Sequence, residues 1–107
     1  MKEKIKYHQD ELVVLIKNRD QKAFSYLYDN YSMALFGIIY AIIDDHEETE
    51  VLTQNTFIKI WNSFDNYDSS KGRLFTWMIN IARNTAIDFK RSKNNKNQNL
   101  NVSNNVY

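Results

Sequence analysis

Residues 67–91 read YDSSKGRLFTWMINIARNTAIDFKR, a polar turn followed by a long apolar repeat. Asparagine, aspartate, serine and glycine are concentrated just before Arg73 and mark the clearest loop of the chain. From about Arg73 to Ser92, apolar side chains recur every three or four residues, which predicts an amphipathic helix. The predicted core stripe of this helix is Leu74 or Phe75, Met78, Ile81, Ala82, Thr85 and Phe89.

Two helices are predicted in the first half of the chain. A short helix runs from about Asp10 to Asn18, with Asp10 as its cap. A long helix follows Asp20 and ends near Ile43, and its apolar residues keep helical spacing throughout: Phe24, Leu27, Tyr28, Tyr31, Leu35, Ile38, Ile39 and Ile42. Gly37 lies inside the long helix and costs up to ~1 kcal/mol relative to alanine, so we expect a closely packed neighbour there.

A further helix is predicted from Asp44–Asp45 to Phe64, because Asp45 and Glu48 have the spacing of a capping box. Its inward face is Leu52, Thr53, Thr56, Phe57, Ile60, Trp61 and Phe64. Its outward face is Glu47, Glu50, Val51, Gln54, Asn55 and Ile58. The outward face includes two apolar residues that a purely solvated surface does not need.

The composition of the 107-residue chain favours helices, because it has two glycines, no proline and no cysteine. A β-sandwich or barrel needs turn residues about every ten positions, and this chain lacks them. The predicted fold is all-α, with three main helices and a short N-terminal one, in one domain over residues 1–93. Residues 94–107 are half asparagine and are predicted to be a flexible linker or tail.

Several classes of function are disfavoured. Without cysteine the chain has no disulfide framework, thiolate nucleophile or cysteine-based zinc site. It has no glycine-rich phosphate loop or nucleophile elbow, and capping explains the acidic pairs at 44–45 and 47–48. We therefore expect no catalytic residue, no metal and no cofactor. No apolar run approaches the roughly 20 residues of a membrane span, so a cytoplasmic protein without membrane contact is predicted.

Charge is distributed unevenly along the chain. Residues 1–70 contain seven Lys/Arg and twelve Asp/Glu, whereas residues 71–107 contain seven Lys/Arg and only Asp88 as an acidic residue. Such a division suggests two differently charged partners or one partner with two faces. Chance segregation on a solvated surface explains it equally well.

Basic, aromatic and amide side chains alternate in the loop and the last helix. They are Asn66, Tyr67, Lys71, Arg73, Phe75, Trp77, Asn80, Arg83, Asn84, Lys90 and Arg91. Basic groups neutralise phosphates, aromatic rings stack on unpaired bases and amides read base edges, so the pattern indicates nucleic-acid binding. Other roles stay open, because Phe75 fits the core, Trp77 fits either role and the amides also suit a solvated face.

Residues 67–91 also resemble the promoter-binding helix of bacterial RNA polymerase sigma factors of the extracytoplasmic-function group. The family pattern is aromatic-Asp-x-x-basic-Gly, here residues 67–72, and then Trp-Leu-x-x-Ile-Ala-Arg-Asn-x-Ala-x-Asp, here residues 77–88 with methionine for leucine. Upstream, AFSYLYDNYSMALFGI (residues 23–38) resembles the first conserved helix of the family, and EVLTQNTFIKIW (residues 50–61) resembles its polymerase-binding helix. The resemblance covers about residues 10–93.

The resemblance implies a sigma region 2 domain that binds core RNA polymerase and recognises and melts the minus-ten promoter element. The implied DNA-binding residues, which face the non-template strand, are Asn66, Tyr67, Asp68, Ser69, Ser70, Lys71, Arg73, Trp77, Asn80, Arg83, Asn84, Asp88, Lys90 and Arg91. The residues implied to bind the β′ clamp helices of polymerase are Glu47, Glu50, Val51, Gln54, Asn55 and Ile58. In this family, anti-sigma factors commonly cover the same two faces, so an anti-sigma factor is a further expected partner.

Two features depart from the family pattern. The family often has aspartate at the position of Val51 and glutamate at the position of Asn55, while Gln54 is retained, so polymerase contact is expected to depend less on charge. Such factors also carry a further helical domain that reads the upstream promoter element, and we expect a longer protein to continue beyond Tyr107. The alternative is a protein-only interaction module that binds polymerase or an anti-sigma factor without promoter recognition.

Overall fold

A computed structural model describes the backbone of residues 6–105 and the side chains of residues 6–96. Four helices follow one another: α1 (Gln9–Lys17), α2 (Gln21–Ile43), α3 (His46–Ser63) and α4 (Leu74–Asn105). A 3-10 turn, Phe64–Asn66, follows α3 directly and was not predicted from the sequence. The all-α fold, with three main helices and a short N-terminal one, is confirmed.

Side-chain caps explain where the two central helices begin. The Asp20 carboxylate accepts from the Ala23 N–H at 2.9 Å at the start of α2, and the Asp45 carboxylate accepts from the Glu48 N–H at 2.9 Å at the start of α3. The cap predicted at Asp45 is therefore confirmed. The cap predicted at Asp10 is wrong: His8 is the N-cap of α1, and Asp10 lies in the first turn, where its charge favours the positive end of the helix dipole.

The core lies where α2, α3 and α4 pack on one another. Its buried apolar residues include Leu27, Leu35, Ile39, Ile60, Phe64, Leu74, Met78 and Ala82. Three buried threonines of α3 also face it, and their hydroxyls donate to the carbonyls four residues earlier: Thr49 to Asp45, Thr53 to Thr49 and Thr56 to Leu52. A threonine hydroxyl satisfied within its own helix can be buried without a partner elsewhere, so these residues pack through their methyl groups.

The expectation about Gly37 is wrong. Gly37 is exposed, and a Cβ atom at this position would meet nothing within 4 Å. Within the part of the chain that the structure describes, no neighbouring helix approaches it closely, so the glycine weakens α2 without a packing gain.

The predicted end of the last helix near Ser92 is also wrong, because α4 continues to Asn105. Two lysines on either side of Ser92 join α4 to the neighbouring helices, one at the end of α2 and one at the start of α3. Lys90 Nζ lies 3.3 Å from the Ile42 carbonyl at the end of α2, and Lys93 Nζ lies 3.1 Å from Glu48 Oε1 in the first turn of α3. A helix already nucleated by packing extends at low cost, even through residues without an apolar repeat. The division into a domain and a tail stays a prediction.

Within residues 6–105, none of the helices is long and apolar enough to cross a membrane.

Candidate nucleic-acid interface

The loop between the 3-10 turn and α4 is held by its own polar groups. The Asp68 carboxylate accepts from the Ser70 N–H at 2.9 Å and from the Ser70 hydroxyl at 2.7 Å. The Lys71 N–H donates to the Asp68 carbonyl at 3.0 Å, and the Tyr67 hydroxyl donates to the Gly72 carbonyl at 2.8 Å. These bonds close the loop on itself, so its exposed residues, including Ser69 and Lys71, stand on an ordered turn.

The hydrogen bonds that order the loop also influence the charge state of Asp68. The hydrogen bond from the Ser70 hydroxyl lowers the pKa of the Asp68 carboxyl, as does the bond from the Ser70 N–H. Desolvation acts in the opposite direction and raises this pKa, and the positive charges of Lys71 and Lys17 lower it by smaller amounts. Asp68 is therefore an ionised acceptor at neutral pH and is already occupied by Ser70, so within this loop it orders the turn.

Tyr67 lies under the loop, although the sequence suggested that its ring stacks on bases. Its residue exposure is only 2%, and its ring packs 6.1 Å from that of Phe64 and 5.4 Å from that of Trp77 between centroids. Burial raises the pKa of the Tyr67 phenol, with smaller contributions from the charges of Asp10 and Asp68. In this conformation Tyr67 supports the loop and presents no free face to a base.

Trp77 occupies an intermediate position between core and surface. Its ring meets Phe64 edge-on at 5.6 Å and rests against Tyr67, yet the residue keeps part of its surface exposed. It is the aromatic side chain of the predicted DNA-binding set that still offers surface to solvent, because Tyr67 is buried. Phe75 stacks on Tyr31 at 5.3 Å, which agrees with its predicted place in the core.

A polar groove separates α3 from α4, and we call it the α3–α4 groove. It is lined by Lys59, Asn62, Ser63, Asn66, Ile81, Asn84 and Thr85. The structure thus brings two predicted DNA-binding amides, Asn66 and Asn84, into one groove. Lys59 bridges its walls, because its Nζ atom lies 3.1 Å from the Thr85 hydroxyl.

Sequence reasoning missed three residues of this groove, Lys59, Asn62 and Ser63 of α3. Lys59, Asn62, Ser63 and Asn66 have the i, i+3, i+4, i+7 spacing of a helical face, and that polar stripe was a signal in the sequence. Lys59, Asn62 and Ser63 lie beside the outward face of α3, and their residue types alone do not distinguish them from an ordinary solvated surface.

The remaining predicted DNA-binding residues are exposed but do not all converge. Asn80, Arg83, Asp88, Lys90 and Arg91 lie on the exposed surface of α4, and Arg73 lies just before its first residue. Arg91 lines two shallow depressions, one of them shared with Asp88, Asn95 and Lys96. The ammonium group of Lys90 is directed to the Ile42 carbonyl, so its charge is partly used within the protein.

All six residues of the predicted outward face of α3 are exposed, including Val51 and Ile58 at 57% each. Beside this face a second groove, here the α2–α3 groove, is lined by Tyr28, Ser32, Met33, Phe36, Glu50, Thr53 and Gln54. Met33 is 86% exposed and was missed by sequence reasoning. The signal for it is a large apolar residue that is out of phase with the apolar stripe of α2.

The comparisons with known proteins agree with this architecture. The sigma-70 region 2 family matches residues 27–96, and the chain belongs to that family. The extracytoplasmic-function RNA polymerase sigma factor SigK of Mycobacterium tuberculosis strain H37Rv is 28% identical over 89 residues, which cover 83% of this chain and 48% of SigK. SigK of Mycolicibacterium vanbaalenii is 30% identical over 84 residues, covering 78% of this chain and 43% of that protein. The predicted resemblance to region 2 of this group is confirmed.

A solved structure has the same fold. An engineered region 2 of sigmaE, determined by NMR in complex with GTAAAA, superimposes with a TM-score of 0.76 at 24% identity, covering 84% of this chain and 93% of that one. The chain spans less than half the length of the curated SigK relatives that it matches.

Proposed function

We propose that this chain is the part of a sigma factor that binds core RNA polymerase and recognises and melts the minus-ten promoter element. The observation that carries the proposal is the α3–α4 groove, which adjoins an ordered loop and gathers the amides of Asn62, Asn66 and Asn84 beside the Lys59 ammonium group. Amides can both donate to and accept from base edges, and an ammonium group attracts phosphate. The proposed role is binding, with no catalytic step.

Strand opening exchanges stacked, paired bases for contacts to the protein, so the separated strand needs partners for base edges and phosphates. Asn66 and Asn84 are proposed to read the edge of an unpaired base in the α3–α4 groove, with Trp77 at the edge of the duplex. Arg83 and Arg91 are proposed to hold phosphates of the non-template strand.

The DNA experiment compares Asn84→Ala with Arg91→Ala in binding to single-stranded GTAAAA and to variants with one base changed. This oligonucleotide is chosen because the engineered sigmaE region 2 was solved with it. Asn84→Ala is expected to cost ~1–3 kcal/mol at the base that it reads and little elsewhere. Arg91→Ala is expected to weaken all sequences alike and to reduce the salt dependence by about one phosphate contact.

Each variant serves as the control for the other, because both side chains are exposed on α4 and only one lines the α3–α4 groove. If both variants shift all sequences equally, Asn84 does not read a base. If the wild-type chain binds core polymerase but no single strand, the protein-only alternative replaces the proposal.

The outward face of α3 and the adjoining α2–α3 groove are the proposed contact with polymerase. Val51, Ile58 and Met33 expose apolar surface there, next to Gln54, and apolar surface rimmed by polar residues is typical of protein interfaces. An anti-sigma factor that covers this surface or the DNA-binding surface is part of the same proposal. A protein that acts on RNA polymerase at a bacterial promoter works in the cytoplasm, and the proposal places the chain there.

A further inference from the structure

Arg19 lies in the turn between α1 and α2, and its side chain reaches the far end of α3. One guanidinium nitrogen donates to the Trp61 carbonyl, and another lies 3.3 Å from Asp65 Oδ2. The guanidinium carbon also lies 5.1 Å from the centroid of the Trp61 ring, within the range of a cation–π contact. Three contacts thus join this one side chain to the last turn of α3 and to the 3-10 turn that follows.

The Trp61 carbonyl belongs to the last turn of α3, where carbonyls lack N–H partners from their own helix. Arginine near a helix C-terminus commonly supplies such a partner, but here it comes from a different part of the chain. The planar guanidinium group can serve the carbonyl and the Asp65 carboxylate together. Arg19 therefore connects the turn before α2 to the point where α3 changes into the 3-10 turn.

The backbone of Arg19 is in the left-handed region, with φ at 63°. This conformation is uncommon for a residue with a side chain and is readily adopted by glycine. The turn by itself would therefore favour glycine, so its backbone does not explain the arginine. The contacts of the side chain do.

The 3-10 turn leads directly into the loop between this turn and α4. Its closing bond, from the Tyr67 N–H to the Phe64 carbonyl at 3.0 Å, sets the direction in which the chain leaves for residues 67–73. Asn66, the last residue of the turn, lines the α3–α4 groove. We propose that Arg19 is a positioning residue for base recognition, acting through Trp61 and Asp65 on the placement of Asn66 and the loop. Its DNA-binding consequence rests on the proposed function.

The first test measures the turn without DNA, by amide hydrogen exchange of the 107-residue chain. Arg19→Gly removes the side chain and relieves the backbone, so the fold should be retained. We expect the Tyr67 amide to exchange about tenfold faster or more, with Leu35 in α2 as an unchanged reference. Lys22→Gln is the matched control, because it removes one exposed positive charge from the next helix. Equal Tyr67 exchange in the two variants would overturn the proposal.

The second test measures base preference, with a pool of randomised single-stranded hexanucleotides. Arg19→Gly is expected to reduce discrimination at the preferred base about fivefold or more, the loss that a displaced base contact produces, with a salt dependence equal to that of Lys22→Gln. Faster Tyr67 exchange with unchanged base preference would also overturn the proposal, since Arg19 would then only stabilise the turn. If the wild-type chain shows no base preference, the proposed function fails, and Tyr67 exchange alone still decides whether Arg19 positions the turn.

Discussion

At the scale of single residues, Tyr67 shows how a loop position can serve the core. The residue follows the 3-10 turn directly, and its ring is buried between Phe64 and Trp77 while its hydroxyl bonds to the Gly72 carbonyl. One side chain therefore joins the first part of the loop to the last. In the sequence, Tyr67 is an aromatic residue beside polar ones, which fits a ring that stacks on bases as well as a ring that packs under the loop. A loop has no helical or strand period, so the sequence does not show whether the ring points to the core or to solvent.

Tyr67→Phe tests this anchor through pH. The raised pKa of Tyr67 means that the native state holds the phenol proton more tightly than the unfolded chain does. The associated stability is complete below the ordinary pKa of 10.0 and is lost as the pH rises through the raised value. We therefore expect the free energy of unfolding of the wild type to fall more steeply above that pH than that of Tyr67→Phe.

Urea unfolding at a series of pH values measures the difference. Near neutral pH the variant should be less stable by ~0.5–1.5 kcal/mol, because it lacks the bond to Gly72. An alkaline loss of the same slope in both proteins would mean that Tyr67 is not the buried phenol responsible.

At the scale of helices, apolar periodicity and capping residues were the signals that predicted where the helices lie. The apolar repeat of α2 and the cap predicted at Asp45 gave helix starts that agree with the structure within one or two residues, because both signals are local in sequence. The end of α4 could not be found in this way. Asparagine is a weak helix former without an apolar period, and the helix there continues from a part that is already packed.

The empty space beside α2 at Gly37 leads to a prediction for the stability of Gly37→Ala. A glycine in a helix interior is less favourable than alanine by about 0.5–1 kcal/mol, and none of the described residues near Gly37 would obstruct a methyl group. We expect the variant to gain that much free energy of unfolding, measured by urea unfolding. Ala34→Gly, on the exposed surface of the same helix, is the mirrored control and should lose a similar amount. A destabilised Gly37→Ala variant would show that the position needs glycine for a reason absent from the structure.

At the scale of the whole molecule, α3 forms one wall of two grooves. It faces α2 across the groove that contains Met33 and Gln54, and it faces α4 across the groove that contains Asn66 and Asn84. The sequence indicated both surfaces through residue type and spacing. It could not show the grooves themselves, because each depends on how closely two helices approach. The proposed polymerase and DNA contacts thus use different sides of one helix.

Because the two grooves are separate, we expect that a substitution at the proposed polymerase contact does not affect DNA binding. The double variant Gln54→Ala, Ile58→Asp is expected to weaken association with core RNA polymerase in a pull-down while leaving affinity for single-stranded GTAAAA unchanged. Its free energy of unfolding should change little, by within ~0.5 kcal/mol for each exposed position.

Gln21→Ala with Val14→Asp is the matched control, because Val14 is 59% exposed, close to the 57% of Ile58, and lies on α1. If both double variants retain polymerase equally well, the outward face of α3 is not the contact. If the first double variant loses DNA as well, the two surfaces are not independent.

The length of α4 has a mechanical consequence. Its 32 residues extend about 48 Å as one continuous rod. Met78, Ala82 and Ala86 lie on either side of Asn84 along this helix and are buried in the core, and the Lys90 and Lys93 contacts join the following turns to the end of α2 and the start of α3. A continuous helix that is packed on both sides of Asn84 resists bending there, because close-packed interiors have low compressibility. The Asn84 wall of the α3–α4 groove is therefore stiff.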